Sequence, residues 1–170
     1  FKKNKKVLVP AMTFSASAAA ILYCGLTPVF VDIDPKTLVI SFEDLKKKYS
    51  KDCVALIAVH FNGQPCEMEK IVPWAKKNKL TVIEDCAQAH GSKYKNKPVG
   101  SFGDISCFSF YTTKHMTTGE GGILCYNSAK YDQTSKIFRN HGLISRDEHS
   151  MLGYNYRMNE IAALIGIEQL

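Results

Sequence analysis

The sequence has little of what marks a disulfide-rich, metal-binding or membrane protein. Its 170 residues include six cysteines, and no two of them stand in a Cys-x-x-Cys pair. The five histidines are dispersed without the spacing of a zinc site, and no apolar run approaches the length of a membrane span. We therefore expect reduced thiols and a cytoplasmic location, with no metal and no membrane contact.

The charge is modestly basic, and it excludes little by itself. The formal net charge is +6, and lysines cluster at residues 2–6, 46–48 and 76–79. Few aromatic residues interleave these runs, so we expect solvated faces or helix ends and no nucleic-acid partner. A basic rim could still attract an anionic substrate.

Short apolar segments alternate with helical patterns along most of the chain. The patterns predict strands at residues 7–9, 29–32, 54–59, 81–83, 106–109 and 122–125. They predict helices at residues 15–24, from 41, at 68–76, at 131–139 and from 159 onward. Residues 91–103 and 142–156 are expected to be irregular. This alternation predicts an α/β fold with a mostly parallel sheet and helices on both faces.

Two charged residues stand where this fold binds ligands. Lys114 lies in a loop between two apolar strands that are predicted to be buried, and a desolvated lysine suits Schiff-base chemistry. Asp85 follows the apolar strand 81–83, at the carboxyl end where open α/β sheets bind ligands. The alternatives are a solvated loop lysine and an aspartate that caps the next helix.

These two segments, residues 80–91 and 109–122, belong to a longer series of motifs. With residues 9–16, 28–34, 59–65, 139–142 and 153–158 they resemble the DegT/DnrJ/EryC1/StrS family of sugar aminotransferases, which depend on pyridoxal 5′-phosphate (PLP). The resemblance implies a PLP-dependent transferase large domain of fold type I, aspartate-aminotransferase-like, over residues 1–170. The chain begins without methionine and ends within a helical pattern, so we expect an incomplete fragment. The N-terminal helix region and the C-terminal small domain would be absent.

The resemblance also assigns roles to individual residues. It implies that Lys114 holds PLP as a Schiff base and then acts as general base and acid. Asp85 would pair with the pyridine nitrogen, and Gln88, one helical turn later, would bond the phenolic oxygen. Ser109 would donate to the cofactor phosphate. Without the resemblance, Gln88 reads as an exposed helix residue. His115 replaces an asparagine more often associated with its position, and its role stays open.

Two further residues complete the implied site. Phe14 would stack on the cofactor ring, although a core phenylalanine is the alternative. Asn155 would reach the phosphate from the neighbouring subunit of a homodimer, although a turn asparagine is the alternative.

The implied function is transfer of an amino group from glutamate or glutamine to a nucleotide-linked keto-sugar. One alternative is a PLP-dependent sugar dehydratase of the same family. Some relatives of that kind carry histidine in place of the lysine, so Lys114 favours transamination. A second alternative is an inactive fragment that serves as a structural partner. The sequence names neither the sugar, the carbon that is aminated, nor the nucleotide.

Overall fold

The computed structural model describes residues 2–170, the Lys130 side chain excepted, as a six-stranded sheet with flanking helices. The strands of this sheet are β1 (Lys6–Pro10), β2 (Thr27–Val31), β3 (Cys53–Val59), β4 (Thr81–Asp85), β7 (Ile105–Ser109) and β8 (Gly122–Tyr126). Two small hairpins pair β5 (Lys93–Tyr94) with β6 (Lys97–Pro98), and β9 (Leu143–Ser145) with β10 (Glu148–His149). The helices are α1 (Ser15–Tyr23), α2 (Phe42–Lys48), α3 (Met68–Lys77), α4 (Asp132–Phe138) and α5 (Glu160–Ile167).

The strand order is β2-β1-β3-β4-β7-β8, and every neighbouring pair is parallel except the last. This confirms the predicted α/β class with a mostly parallel sheet. Since the carboxyl ends of parallel strands meet at one edge, β4 and its neighbours deliver their last residues to the same place. Asp85, the last residue of β4, pairs with Val59 on one side and Cys107 on the other.

The alternation of side chains along the strands divides the core into two layers. Leu8 packs with α2 and α3, whereas its neighbours Val7 and Val9 pack with α1. Strand β4 follows the same rule: Val82 faces the α3 layer and Ile83 the α1 layer. Each fully buried aliphatic side chain of this kind contributes about 1.5–3 kcal/mol. Helices therefore cover both faces of the central strands, as the sequence predicts.

Local signals set the ends of the first two helices. Helix α1 stops before Gly25, whose φ of +66° ends the helix, and Leu26 N donates to Ile21 O at 3.1 Å. At the start of α2, the Ser41 hydroxyl accepts from Asp44 N at 3.3 Å and caps the helix. The Asp44 carboxylate accepts from Asp32 N instead of turning back to Ser41.

Three expectations about local structure are wrong. The segments 91–103 and 142–156 are not wholly irregular, because each contains one of the two hairpins. The predicted helix 131–139 is present as α4, preceded by a 3-10 turn that includes Tyr131. No helix directly follows β4, because residues 86–91 form turns. Strand β8 is also not buried, since Ile123 and Leu124 are 49% and 46% exposed.

No helix within residues 2–170 is long and apolar enough to cross a bilayer.

Candidate active site

Asp85 is held at the carboxyl end of β4 by donors from two directions. Its Oδ2 accepts from the Ser17 hydroxyl at 2.8 Å, and its Oδ1 accepts from Ala87 N at 3.1 Å. The second bond belongs to a turn, so the alternative that Asp85 caps a helix is wrong. An ionised carboxylate offers about four acceptor sites, and these two bonds leave capacity for a ligand.

Gln88 lies in a turn, not one helical turn along a helix as the sequence suggested. It is half-buried, and its Oε1 accepts from Asn62 N at 2.8 Å. Both the predicted helical setting and the alternative of an exposed helix residue are therefore wrong. The side chain is held against the segment that follows β3, and this places it at the same edge of the sheet as Asp85.

Lys114 lies half-buried in the loop that joins β7 to β8. Its backbone N–H donates to Tyr111 O at 2.9 Å, which closes a turn around it. The side chain lines a cavity of about 410 Å³, and the other residues around this cavity are Asn62, Gln88, Thr113 and His115. The alternative of a fully solvated loop lysine is wrong, and the structure brings Lys114 and Gln88 to one cavity.

The lysine loop is braced at both ends. Phe110 N donates to Gly121 O at 2.8 Å, and Thr118 N donates to Phe110 O at 3.0 Å. From the end of α5, the Gln169 amide bonds Thr117, accepting from its N–H at 3.0 Å and donating to its carbonyl. Such reciprocal bonds restrict the conformations that the loop can adopt.

Ser109 and Phe14 stand at the same edge with different exposure. Ser109 ends β7, is half-buried, and its hydroxyl accepts from Tyr111 N at 3.3 Å. Phe14 precedes α1, and its ring is 73% exposed, so the alternative of a core phenylalanine is wrong. An exposed ring beside a polar edge is free to stack on a flat ligand.

Like Asp85, Ser109 and Phe14, Asn155 is not among the described residues that line the cavity around Lys114. It is exposed and pairs across a short bridge with Asn140, and its Oδ1 accepts from Arg157 Nε at 3.1 Å. Its predicted contact with a neighbouring subunit therefore stays a prediction.

His90 is a neighbour of the site that the sequence did not single out. Its ring lies 5.5 Å from Phe108 and 6.2 Å from His115, between ring centroids. Neither of its buried ring nitrogens has a hydrogen-bond partner of good geometry among residues 2–170. Burial lowers the pKa of His90, the charges of His115 and Lys114 lower it further, and the Ser109 backbone opposes them only in part.

On the opposite face of the sheet from Asp85, the Glu84 side chain forms a buried cluster with His60. His60 Nδ1 accepts from Cys66 N at 3.0 Å, so its Nε2 carries the proton and donates to Glu84 at 3.0 Å. The Glu84 carboxylate also accepts from the backbone N–H groups of three residues, which are Gly100, Phe102 and Gly103. Burial alone would raise the pKa of Glu84, but the bonds from His60 and this backbone lower it below its ordinary value.

The side chains of His60, Glu84 and Cys86 come close enough together to suggest a metal site. Their ligand atoms lie within 4.8 Å of one another. Hydrogen bonds already occupy His60 Nδ1 and both Glu84 oxygens, and burial raises the pKa of the Cys86 thiol. This arrangement favours a structural cluster over a metal centre, and the expected absence of a metal stays a prediction.

The residues at the carboxyl edge fit PLP by their chemistry. An amine and an amide line one cavity, a carboxylate with free acceptor capacity ends the central strand, and a hydroxyl ends the next strand. Sequence reasoning missed Ser17, Thr13 and Asn62. Only Asn62 gave a signal, because Asn-Gly marks a turn, and its φ of +50° fits one.

Comparisons with known proteins identify the fold's relatives. The sequence model of the DegT/DnrJ/EryC1/StrS aminotransferase family matches residues 1–170. The GDP-perosamine synthase of Escherichia coli O157:H7 is 48% identical over 170 residues, which cover 99% of this chain and 47% of that protein.

Two solved structures superpose closely on the chain. Helicobacter pylori PseC, an aminotransferase of pseudoaminic acid biosynthesis, has a TM-score of 0.94 and 33% identity over 99% of this chain and 46% of that one. A candidate sugar aminotransferase of Streptococcus pneumoniae, in its PLP form, has a TM-score of 0.89 and 29% identity over 98% and 48%. The chain thus spans about half the length of these relatives. Because the family match covers all of its residues, the chain belongs to the DegT/DnrJ/EryC1/StrS aminotransferase family.

Proposed function

We propose that the protein carrying this chain is a PLP-dependent aminotransferase that converts a nucleotide-linked keto-sugar into an amino-sugar. Glutamate or glutamine would supply the amino group. The observation that carries the proposal is the cavity that Lys114 shares with Gln88, a residue that lies three positions after Asp85 at the end of β4. Residues 1–170 would form the PLP-binding large domain, and the rest of the protein would complete the site.

Each residue of the edge has a distinct task in this proposal. When bound, PLP supplies an aldehyde that takes up and returns the amino group, and a ring that withdraws electrons. Lys114 would hold the cofactor covalently through Nζ and, once released, would accept and return a proton. Asp85 would bind the ring nitrogen. Gln88 would donate to the phenolic oxygen, and Ser109 to the phosphate.

Phe14, with its exposed ring, would stack on the cofactor. A lysine at position 114 favours transamination over the dehydratase alternative, and it also argues against an inactive structural partner. The relatives named as GDP-perosamine synthase and sugar aminotransferases support the nucleotide-sugar class. We also propose a cytoplasmic location, because all six cysteines are free thiols and such thiols persist in a reducing compartment.

Chemical trapping tests the covalent role of Lys114. Borohydride reduction of the full-length protein loaded with PLP, followed by peptide mass mapping, should place the adduct on Lys114. An adduct on Lys93 or Lys95 would contradict the assignment. Assays with a panel of keto-sugar nucleotides, each with glutamate and with glutamine, would identify the substrate and the donor.

We propose further that the active form is a homodimer with shared sites, in which Asn155 reaches the partner's cofactor phosphate. The exposed rings of Tyr154 and Tyr156 beside Asn155 suit an interface. Mixing full-length Lys114→Ala and Asn155→Ala subunits should restore part of the activity, because a heterodimer places both lesions in one site. No recovery despite demonstrated subunit exchange would count against shared sites.

A further inference from the structure

Behind Asp85 lies a pair of hydroxyl groups to which the family resemblance assigns no role. The Ser17 side chain is on the α1 face toward β4, and the residue is only 7% exposed. Its Oγ lies 2.8 Å from Asp85 Oδ2 and 2.9 Å from Thr13 Oγ1. The three side chains form a continuous chain of hydrogen bonds that runs from the start of α1 to the end of β4.

The directions of these bonds follow from the number of protons available. An ionised carboxylate accepts only, so the single Ser17 hydroxyl proton points to Asp85. The Ser17 oxygen must then accept the proton of Thr13. All donors in the chain therefore point toward the carboxylate, which polarises each bond in the same sense.

A second donor fixes the other oxygen of the same carboxylate. Ala87 N–H binds Asp85 Oδ1 while Ser17 binds Oδ2, so the plane of the carboxylate is held from both sides. The Ala87 bond is local to the turn, whereas Ser17 belongs to a helix that is distant in sequence. The hydroxyl of Ser17 is therefore what ties the orientation of Asp85 to the packing of α1.

We propose that Ser17, supported by Thr13, is a positioning residue that holds Asp85 in the orientation that binds the cofactor ring. This inference rests on the proposed function, because it requires that Asp85 bind PLP. Ser17 itself would touch no cofactor. Its removal should free Asp85 to rotate toward water and should weaken PLP binding, without removing any group that contacts PLP.

The test measures PLP affinity in full-length apo-protein by spectroscopic titration, with thermal unfolding of the apo-protein in parallel. Ser17→Ala should weaken PLP binding about tenfold, the loss expected for one hydrogen bond to a charged group, with little change in melting temperature. Ser17→Thr keeps the hydroxyl and should retain affinity. Ser15→Ala, on an exposed residue of the same helix, is the matched control.

A double-mutant cycle separates positioning from packing. In an Asp85→Ala background, Ser17→Ala should have no further effect on PLP affinity, because its target is gone. An equal loss in both backgrounds, or a loss that tracks a lower melting temperature, would overturn the inference. Should Ser17→Ala fail to fold, Thr13→Val carries the same test, with a smaller loss expected.

If wild-type protein forms no PLP adduct, the proposed function fails. If wild-type protein forms the adduct and Ser17→Ala binds PLP equally well, only this inference fails.

Discussion

Glu84 and Asp85 are adjacent carboxylates on the same strand, yet they belong to two different regions of the molecule. Strand alternation turns Glu84 into the layer under α3, where it is fully buried and receives four donors. Asp85 faces α1 and the ligand edge, where it is half-buried and receives two.

The two carboxylates differ in the hydrogen-bond acceptor capacity that each has left for a ligand. The bonds to Glu84 come from His60, which directly follows β3, and from the backbone of residues 100–103, so this side chain ties distant segments together and has no free acceptor. Asp85 is held in place but keeps acceptor capacity for a ligand. We therefore expect changes on the Glu84 side to act on stability and changes on the Asp85 side to act on activity.

The largest effect should come from Lys114→Arg on the ligand side. Arginine cannot be deprotonated at useful pH, so it can neither hold the cofactor covalently nor shuttle a proton. Turnover of the full-length enzyme should fall by about 10³-fold or more. Urea unfolding should give a nearly unchanged midpoint, because the lysine is not part of the core. A loss of stability large enough to explain the inactivity would contradict the expectation that changes on the ligand side act on activity.

On the buried side, Glu84→Ala should cost about 3–5 kcal/mol of unfolding free energy. The change leaves the His60 N–H and three backbone donors buried without an acceptor. Denaturant titration of the full-length protein measures the loss. Glu43→Ala is the control, since Glu43 is exposed and pairs with Lys46 at the surface, and it should cost about 0.5 kcal/mol or less. Similar losses for the two variants would refute a special role for the cluster.

Asp85→Asn should reverse the pattern of Glu84→Ala. A neutral amide favours the protonated cofactor ring less than a carboxylate does, and a pKa difference of one unit corresponds to about 1.4 kcal/mol. We expect activity to fall about tenfold or more, with a shifted absorbance of the bound cofactor and little change in stability. Full activity with an unchanged spectrum would refute the role of Asp85.

The smallest effect should be a pH dependence that arises from His90. Its pKa is lowered in the folded protein, so the unfolded chain binds a proton more readily below about pH 6.5. Folding free energy from His90 is therefore fully present above that pH and is lost as pH falls toward the folded pKa. His90→Phe should flatten the pH dependence of unfolding between pH 7 and 5.

Much of the fold could be predicted from the sequence because each central strand and helix carries its own periodic pattern. Strand β3 is buried on both faces, and the sequence already predicts it as a continuous apolar run. The hairpins at β5–β6 and β9–β10 were missed because strands of two or three residues are too short for a period. Gln88 was placed on a helix because a turn and a helix start share the same polar residues.

The site could be predicted from the sequence only in part, for a related reason. Lys114 and Asp85 stand out as charges at strand ends, but their partners come from elsewhere in the chain. Ser17 looks like any small residue of an alanine-rich helix, and only the packing of α1 on the sheet brings it to Asp85. The exposure of β8 could not be predicted either, because an apolar strand does not show whether another part of the protein covers it.

The reversed direction of β8 bears on the order in which the site assembles. Parallel neighbours need a crossover before they can pair, whereas β7 and β8 are joined directly by the loop that carries Lys114. Contacts between segments close in sequence form at a lower entropic cost than distant ones. The lysine loop can therefore close early, while Asp85 gains Ser17 only when α1 docks from far along the chain. Completion of the site then waits for two contacts that are distant in sequence, that of Ser17 with Asp85 and that of Gln169 with the lysine loop.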